Sequence, residues 1–314
     1  MKADDTLPEL IGESPAMLKV KDTIYKLVET DANILITGES GTGKDLVARL
    51  LRHYSPRRDD AFVTIDLGSI PEQLFESELF GYEKGAFTDA RRSKSGRMEM
   101  ASGGTLFLDE ISEMDVGLQA KLLRALQERR IRPVGGVEEV ETDVRIIAAC
   151  NADLPRYVEE GKFRTDLFYR LNTFPIHIPP LRERREDIPP LCRSLLDELS
   201  RKLKRRLELT PEAMDRLLAH NWPGNVRELR NVLEFCAYLT PSGVITELSL
   251  PENLRTGPTA QPSLTLAQRT RAFERAEILR LLERNGASLE GKKKTAAQLG
   301  ISLASLYNKL NMQF

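Results

Sequence analysis

Seven consecutive residues, Gly38-Glu39-Ser40-Gly41-Thr42-Gly43-Lys44, have the composition of a phosphate cradle. Glycines let backbone N–H groups curl around phosphate oxygens, and a helix opening directly afterwards adds partial positive charge. Lys44 would reach the β- and γ-phosphates. The next position commonly carries a hydroxyl for Mg²⁺; here it is Asp45, whose carboxylate reaches such an ion directly or through water. Sixty-five residues beyond Lys44, Asp109-Glu110 closes the apolar run Thr105-Leu106-Phe107-Leu108. Such a pair suits ATP hydrolysis: Asp109 holds Mg²⁺, and Glu110 polarises a water for attack on the γ-phosphate. Asn151, closing another apolar run, is placed to sense that phosphate.

The elements around these residues follow from patterning. Ile34–Thr37, Thr105–Leu108 and Val144–Ala149 are continuous apolar runs of strand length, predicting buried parallel strands. Between them Leu118, Leu122, Leu123 and Leu126 recur at helical spacing within 118–130. Alternating strand and helix predicts an α/β layered sheet over residues 1–178. Prolines at 175, 179, 180, 189 and 190 mark a change of style, and 179–250 is predicted to be helical, with no strand beyond Asp187. Residues 251–263, rich in proline and threonine, predict a linker. Helical periodicity returns in 264–314.

Composition narrows the classes further. The chain has 314 residues, 30% charged, with a formal net charge of −1. That charge is unevenly spread: from Ser263 onward nine Lys or Arg face four Asp or Glu, so a basic tail follows an acidic body. A basic tail predicts an appended nucleic-acid module. Three scattered cysteines, Cys150, Cys192 and Cys236, imply neither a disulfide framework nor a metal site, and His53, His177 and His220 lack ligand spacing. Without an 18-residue apolar run or a signal peptide, no membrane partner is expected and the cytoplasm is the default.

These motifs, taken in order, resemble those of the sigma-54-dependent transcription activators, or bacterial enhancer-binding proteins, ring-forming ATPases of the AAA+ class. The resemblance runs from about Leu10 to Phe314. It rests on the phosphate loop, Glu76–Gly81, Gly85-Ala86-Phe87-Thr88-Asp89-Ala90, Gly103–Glu110, Phe163–Leu167, Tyr169–Leu171, Leu181–Arg184 and Trp222–Leu229. It implies a P-loop AAA+ domain with an α-helical lid, ATP and Mg²⁺ as cofactors, and a homo-oligomeric ring, a hexamer by family habit. Arg164 and Arg170 match arginines that reach into a neighbouring subunit's ATP site, where a guanidinium stabilises charge on the transferring phosphoryl group. Arg227 matches the lid's sensor arginine, and Ile11 and Gly12 resemble the segment beside the adenine.

The resemblance also implies partners. The family's loop ordinarily runs Gly-Ala-Phe-Thr-Gly-Ala and presses its Phe and Thr on the sigma factor of sigma-54 RNA polymerase. Phe87 and Thr88 match, and Asp89 departs from the family's glycine, adding a charge at the contact. Asp66 stands where the family has an asparagine that holds the catalytic glutamate; an aspartate cannot donate that amide hydrogen bond. The switch on Glu110 is therefore expected to be altered. The tail resembles a Fis-type helix-turn-helix about Gly300. That match puts Lys292, Lys293 and Lys294 on the phosphate backbone of double-stranded DNA, with Ser302, Ser305, Tyr307, Asn308 and Lys309 as its groove-facing set at an enhancer-like upstream site. The alternative expectation is a DNA-binding regulator whose degraded motor only senses nucleotide and acts without sigma-54. Ahead of Leu10 there is no room for a receiver domain, which leaves open a longer natural chain or control by a separate regulatory protein.

Overall fold

The computed structural model describes residues 9–87, 90–255, 278, 281, 285–286, 289–303 and 306. Contacts divide the chain into two units, residues 1–257 and 258–314.

The first unit is built on strands β1 (Ile34–Thr37), β2 (Phe62–Asp66), β3 (Gly81–Tyr82), β4 (Lys94–Ser95), β5 (Thr105–Asp109), β6 (Arg130–Ile131), β7 (Val140–Glu141), β8 (Arg145–Cys150), β9 (Phe174–His177), β10 (Glu208–Leu209) and β11 (Val244–Ile245). Five of them form one parallel sheet in the order β2-β5-β8-β1-β9. The apolar runs are continuous because both sheet faces are covered. Leu35, Leu106, Leu108, Ile146 and Ala148 face one core, and Ile34, Ile36, Phe107, Ile147 and Ala149 the other.

Helices α1 (Pro15–Leu27), α2 (Lys44–His53), α3 (Phe75–Phe80), α4 (Arg97–Met100), α5 (Val116–Glu128), α6 (Leu154–Glu159) and α7 (Thr165–Leu171) cover this sheet. Helix α2 buries Val47, Ala48 and Leu51 in one core, while α5 buries Leu118, Leu122 and Leu123 in the other. Helix starts follow local chemistry. Asp115 accepts from Gly117 and Leu118 N–H at the head of α5, and Ser14 accepts from Met17 N–H ahead of Pro15.

The lid comprises α8 (Ile188–Leu203), α9 (Pro211–Ala219), α10 (Asn225–Leu239) and α11 (Glu252–Arg255), around a separate core in which Trp222 is fully buried. Two expectations need correction here. Beyond Asp187, β10 and β11 pair in parallel as a two-residue ladder, too short for any periodicity to announce. The expected linker from Pro251 also begins with structure: Glu252–Arg255 form a helical turn whose Leu254 is buried in the lid core.

In the second unit, α12 (Leu289–Gln298) ends in a turn at Gly300, whose φ is +66°. Leu299, Gly300 and Ile301 N–H return to carbonyls of the last helical turn. Leu303 and Leu306 are helical beyond the turn, with Leu306 N–H donating to Ser302 C=O. Ile278, Ala296 and Leu306 form a small core. Ala297, next to Ala296, is exposed.

Candidate functional site

The chain leaves β1 into the glycine loop and enters α2 at Lys44, as the spacing requires. Gly43 caps α2 with a left-handed backbone and no side-chain hydrogen bond, so the first-turn amides keep no internal side-chain acceptor. Gly41 is needed for two reasons: its φ is +79°, and an added Cβ would lie 2.4 Å from Gly224 C=O. Lys44 is buried, and its ammonium donates to Gly38 C=O at 3.0 Å and to Glu39 C=O at 3.5 Å. The Thr42 hydroxyl donates to Glu39 C=O, closing the loop on itself. Asp45 is exposed in the first turn of α2.

Asp109 ends β5 with Glu110 directly after it, and Asp66 ends the neighbouring β2, at the carboxyl edge where open parallel sheets bind ligands. Asp109 Oδ1 accepts from Glu110 N–H at 3.0 Å. Desolvation, together with the nearby charges of Glu110 and Asp66, holds the Asp109 carboxyl above its ordinary range. Glu110 has a left-handed backbone, φ 52°, of the sparsely populated kind found at functional sites. Its Oε1 lies 3.8 Å from Lys44 Nζ, and its Oε2 accepts from Asn151 N–H at 3.3 Å. The structure thus joins Lys44, Asp109, Glu110 and the Asn151 amide in one place. Asp66 turns its Oδ1 to Gly68 N–H at 3.0 Å, capping its own turn, while Glu110 is taken by Lys44 and Asn151.

Among the described residues no three His, Cys, Asp or Glu gather as a ready metal cage. That suits Mg²⁺, which takes one or two carboxylates plus substrate phosphates. Asp109 fits such a role, because a cation would offset the desolvation, and the lesser repulsion from Glu110 and Asp66, that raise its pKa.

The lid closes on the loop through its outward-facing groups. Arg182 grips Glu39 with two hydrogen bonds, 2.8 and 2.6 Å. Asn225 Nδ2 donates to Glu39 Oε2 and to Ser40 C=O, while its Oδ1 accepts from Leu181 N–H. Val226 and Arg227 N–H, at the start of α10, both donate to Gly41 C=O, and Arg227 Nη1 donates to Ser40 Oγ at 2.8 Å. Arg184, buried, donates to Thr42 C=O. Arg182 and Asn225 together hold the Glu39 carboxyl down at about 2.

A model of the sigma-54 interaction domain matches residues 10–177, and a model of the AAA+ ATPase lid domain matches residues 182–266. The chain belongs to the sigma-54 interaction domain family. It is similar to the DNA-binding transcriptional regulator NtrC of Azospirillum brasilense, 50% identical over 83% of this chain and 54% of that protein. It is 41% identical to the formate hydrogenlyase transcriptional activator FhlA of Escherichia coli K12 over 98% of this chain and 44% of that protein. The chain spans about half the length of the curated relatives it matches. Crystal structures of NtrX from Brucella abortus share 36% identity over 96% of this chain and 68% of theirs, with TM-scores of 0.77, and 0.75 for the complex with ATP.

In this sigma-54 family member the remaining expected residues have partners of their own. Arg164 precedes α7 and forms a two-pronged ion pair with Asp166, at 3.0 and 2.8 Å. Arg170, in the last turn of α7, donates to Leu126 C=O. Ile11 packs on the lid core. Gly12 is buried, and its C=O accepts from Lys21 at 2.8 Å. Asp187, which sequence reasoning did not single out, accepts from Glu13 N–H, Ser14 N–H and the Ser14 hydroxyl, so the segment after Gly12 is tied to the lid.

The Gly85–Ala90 loop is closed at its base by Gly85 N–H to Ala90 C=O at 2.8 Å. Phe87 is 43% exposed, with its ring 4.9 Å from Tyr82. Alongside, Val134 N–H donates to Gly81 C=O and Glu83 N–H to Val134 C=O, so the β6–β7 hairpin braces the loop. Thr88 and Asp89 lie outside the described residues, as do Ser305, Tyr307, Asn308 and Lys309. Of the expected DNA contacts that are described, Lys293, Lys294 and Ser302 are exposed and Lys292 is half-buried.

Arg182, Arg184 and Asn225 were missed as site residues. Their motifs were visible in the sequence, but nothing local indicates that residues some 140 to 190 positions apart meet at the loop.

Proposed function

We propose that this chain is an ATP-hydrolysing transcription activator that assembles into a ring, a hexamer, and remodels the closed complex of sigma-54 RNA polymerase. The observation carrying this reading is the meeting of Lys44, Asp109, Glu110 and the Asn151 amide beneath a lid that holds the glycine loop. The loop amides and Lys44 bind the polyphosphate, Asp109 holds Mg²⁺, Asp45 reaches that ion directly or through water, and Asp66 alters the switch on Glu110. When bound, that ion neutralises phosphate charge during transfer. Glu110, released from Lys44 as phosphate takes the ammonium, orients the attacking water. Asn151 and Arg227 sense the γ-phosphate, and Ile11 and Gly12 flank the adenine. Arg164 and Arg170 serve the neighbouring subunit, so hydrolysis depends on assembly.

Phe87 and Thr88, with Asp89 as a modified tip, engage the sigma factor. Residues 264–314 form a Fis-type helix-turn-helix that binds double-stranded DNA upstream of the promoter in the cytoplasm. The exposed Lys293 and Lys294 and the Gly300 turn support this. The test is open-complex formation on a sigma-54 promoter with ATP, using the chain, Thr88→Ala and Glu110→Ala. Activity in the parent that both substitutions abolish is the expected result. Absent activity in the parent, with DNA binding intact, would replace the motor with a nucleotide-sensing regulator.

A further inference from the structure

The phosphate loop contains a carboxylate. Glu39 lies between the first glycine and the helix that together cradle an anion, where an ionised side chain repels a polyphosphate as it arrives. Its position in the fold shows how that charge is met. Arg182 makes a parallel two-bond contact with both carboxylate oxygens, and Asn225 Nδ2 donates to one of them at 3.1 Å. Such a charge-assisted fork neutralises the carboxylate and fixes its direction. Asn225 is itself fully buried in a left-handed conformation, φ 52°, with its other amide atom taken by Leu181 N–H, next to Arg182. One amide therefore ties the loop, the start of the lid and α10 together.

We propose that Arg182, held beside Asn225, is a positioning residue for nucleotide binding: it cancels the Glu39 charge and keeps that side chain on the lid side of the loop, leaving the loop amides and Lys44 to meet phosphate unopposed. The inference rests on the ATP site proposed above and adds a charge pair to it. As a stabilising contact the pair counts for little, since Arg182 and Glu39 side chains are 38% and 41% exposed. Its consequence is for the anion that binds next to it. A purely structural bridge and a charge-cancelling one differ in their response to substitution. Breaking a structural bridge from either side does equal harm, whereas removing the carboxylate removes the problem that Arg182 solves.

The experiment measures affinity of the full chain for ADP and for a non-hydrolysable ATP analogue, in wild type, Arg182→Gln, Glu39→Gln and the double variant, at low and high salt. Arg182→Gln should bind about tenfold more weakly at low salt, a loss of about 1.4 kcal/mol, with the gap narrowing as salt screens the exposed carboxylate. Glu39→Gln should bind at least as tightly as wild type, and the double variant should return to within about twofold of it. Equal weakening in both single variants, or a double variant as weak as Arg182→Gln, overturns the proposal while leaving the ATP site standing. Should Arg182→Gln fail to fold, Glu39→Gln against wild type decides alone: weaker binding sinks the idea. A wild-type chain that binds neither nucleotide overturns the ATP site, and this inference with it.

Discussion

The glycine loop at Gly38–Lys44 and the Gly85–Ala90 loop are both short and glycine-bearing, yet the fold secures them differently. Four successive residues of the first, Glu39 to Thr42, have side-chain or carbonyl groups taken by Arg182, Asn225, Val226, Arg227 and Arg184 of the lid. The second is closed by Gly85 to Ala90 and Ala90 to Phe87 hydrogen bonds and steadied by the Tyr82 ring. A loop that must present amides to a polyanion needs every outward acceptor satisfied elsewhere, or the peptide planes would turn. A loop that must meet another macromolecule needs its tip accessible and only its base defined. Phe87, partly on Tyr82 and partly in solvent, fits that second demand.

The contrast breaks most visibly at Glu110. Glu110→Gln should cut ATP hydrolysis about 10²–10⁴-fold while nucleotide affinity survives, measured by steady-state phosphate release and equilibrium binding. A rate within a fewfold of wild type would remove Glu110 from the chemistry. Next in size is the brace behind the first loop. Trp222 is fully buried in the lid core, its indole N–H donating to Leu217 C=O at 2.8 Å. Trp222→Ala should cost about 3–5 kcal/mol in denaturant unfolding of the lid and weaken nucleotide binding with it. Loss of stability without loss of binding would show that the lid does not organise the loop.

The Gly85–Ala90 loop should respond more mildly. Tyr82→Leu removes a ring contact worth about 0.5–1.5 kcal/mol. Open-complex yield should fall severalfold while ATP hydrolysis by the isolated chain is unaffected; parallel losses in both assays would erase the distinction between the loops. The smallest effect is set by pH. Glu39 is depressed from 4.5 to about 2, so its contribution to lid docking is fully present above about pH 4.5 and lost as pH falls toward 2. Melting of wild type and Glu39→Gln should therefore converge over that window, with only a modest difference above it, because the pair is partly exposed. A difference that grew on acidification would reverse the sign and refute the assignment.

Much of this site is legible one-dimensionally, for a physical reason. Phosphate binding needs glycines, a lysine and a helix start within one continuous stretch, so Gly38 to Lys44 carries its chemistry in order. Asp109 and Glu110 are legible because an apolar strand ends on them. Asp66 illustrates the limit. Its departure from the family's asparagine is plain in the sequence, but its actual partner, Gly68 N–H, depends on how the chain turns after β2.

The sequence by itself determined the α/β layering, the phosphate loop, the acid pair and the Phe87 loop, because each is written in neighbouring residues or in a short period. Only the tertiary structure decided that Arg182 and Asn225 hold Glu39, that Asp187 ties the segment after Gly12 to the lid, and that β10 pairs with β11. Those contacts join residues between about 35 and 190 positions apart. Their partners are selected by packing of the cores beneath them, and no local pattern of residues encodes which distant partner the packing delivers.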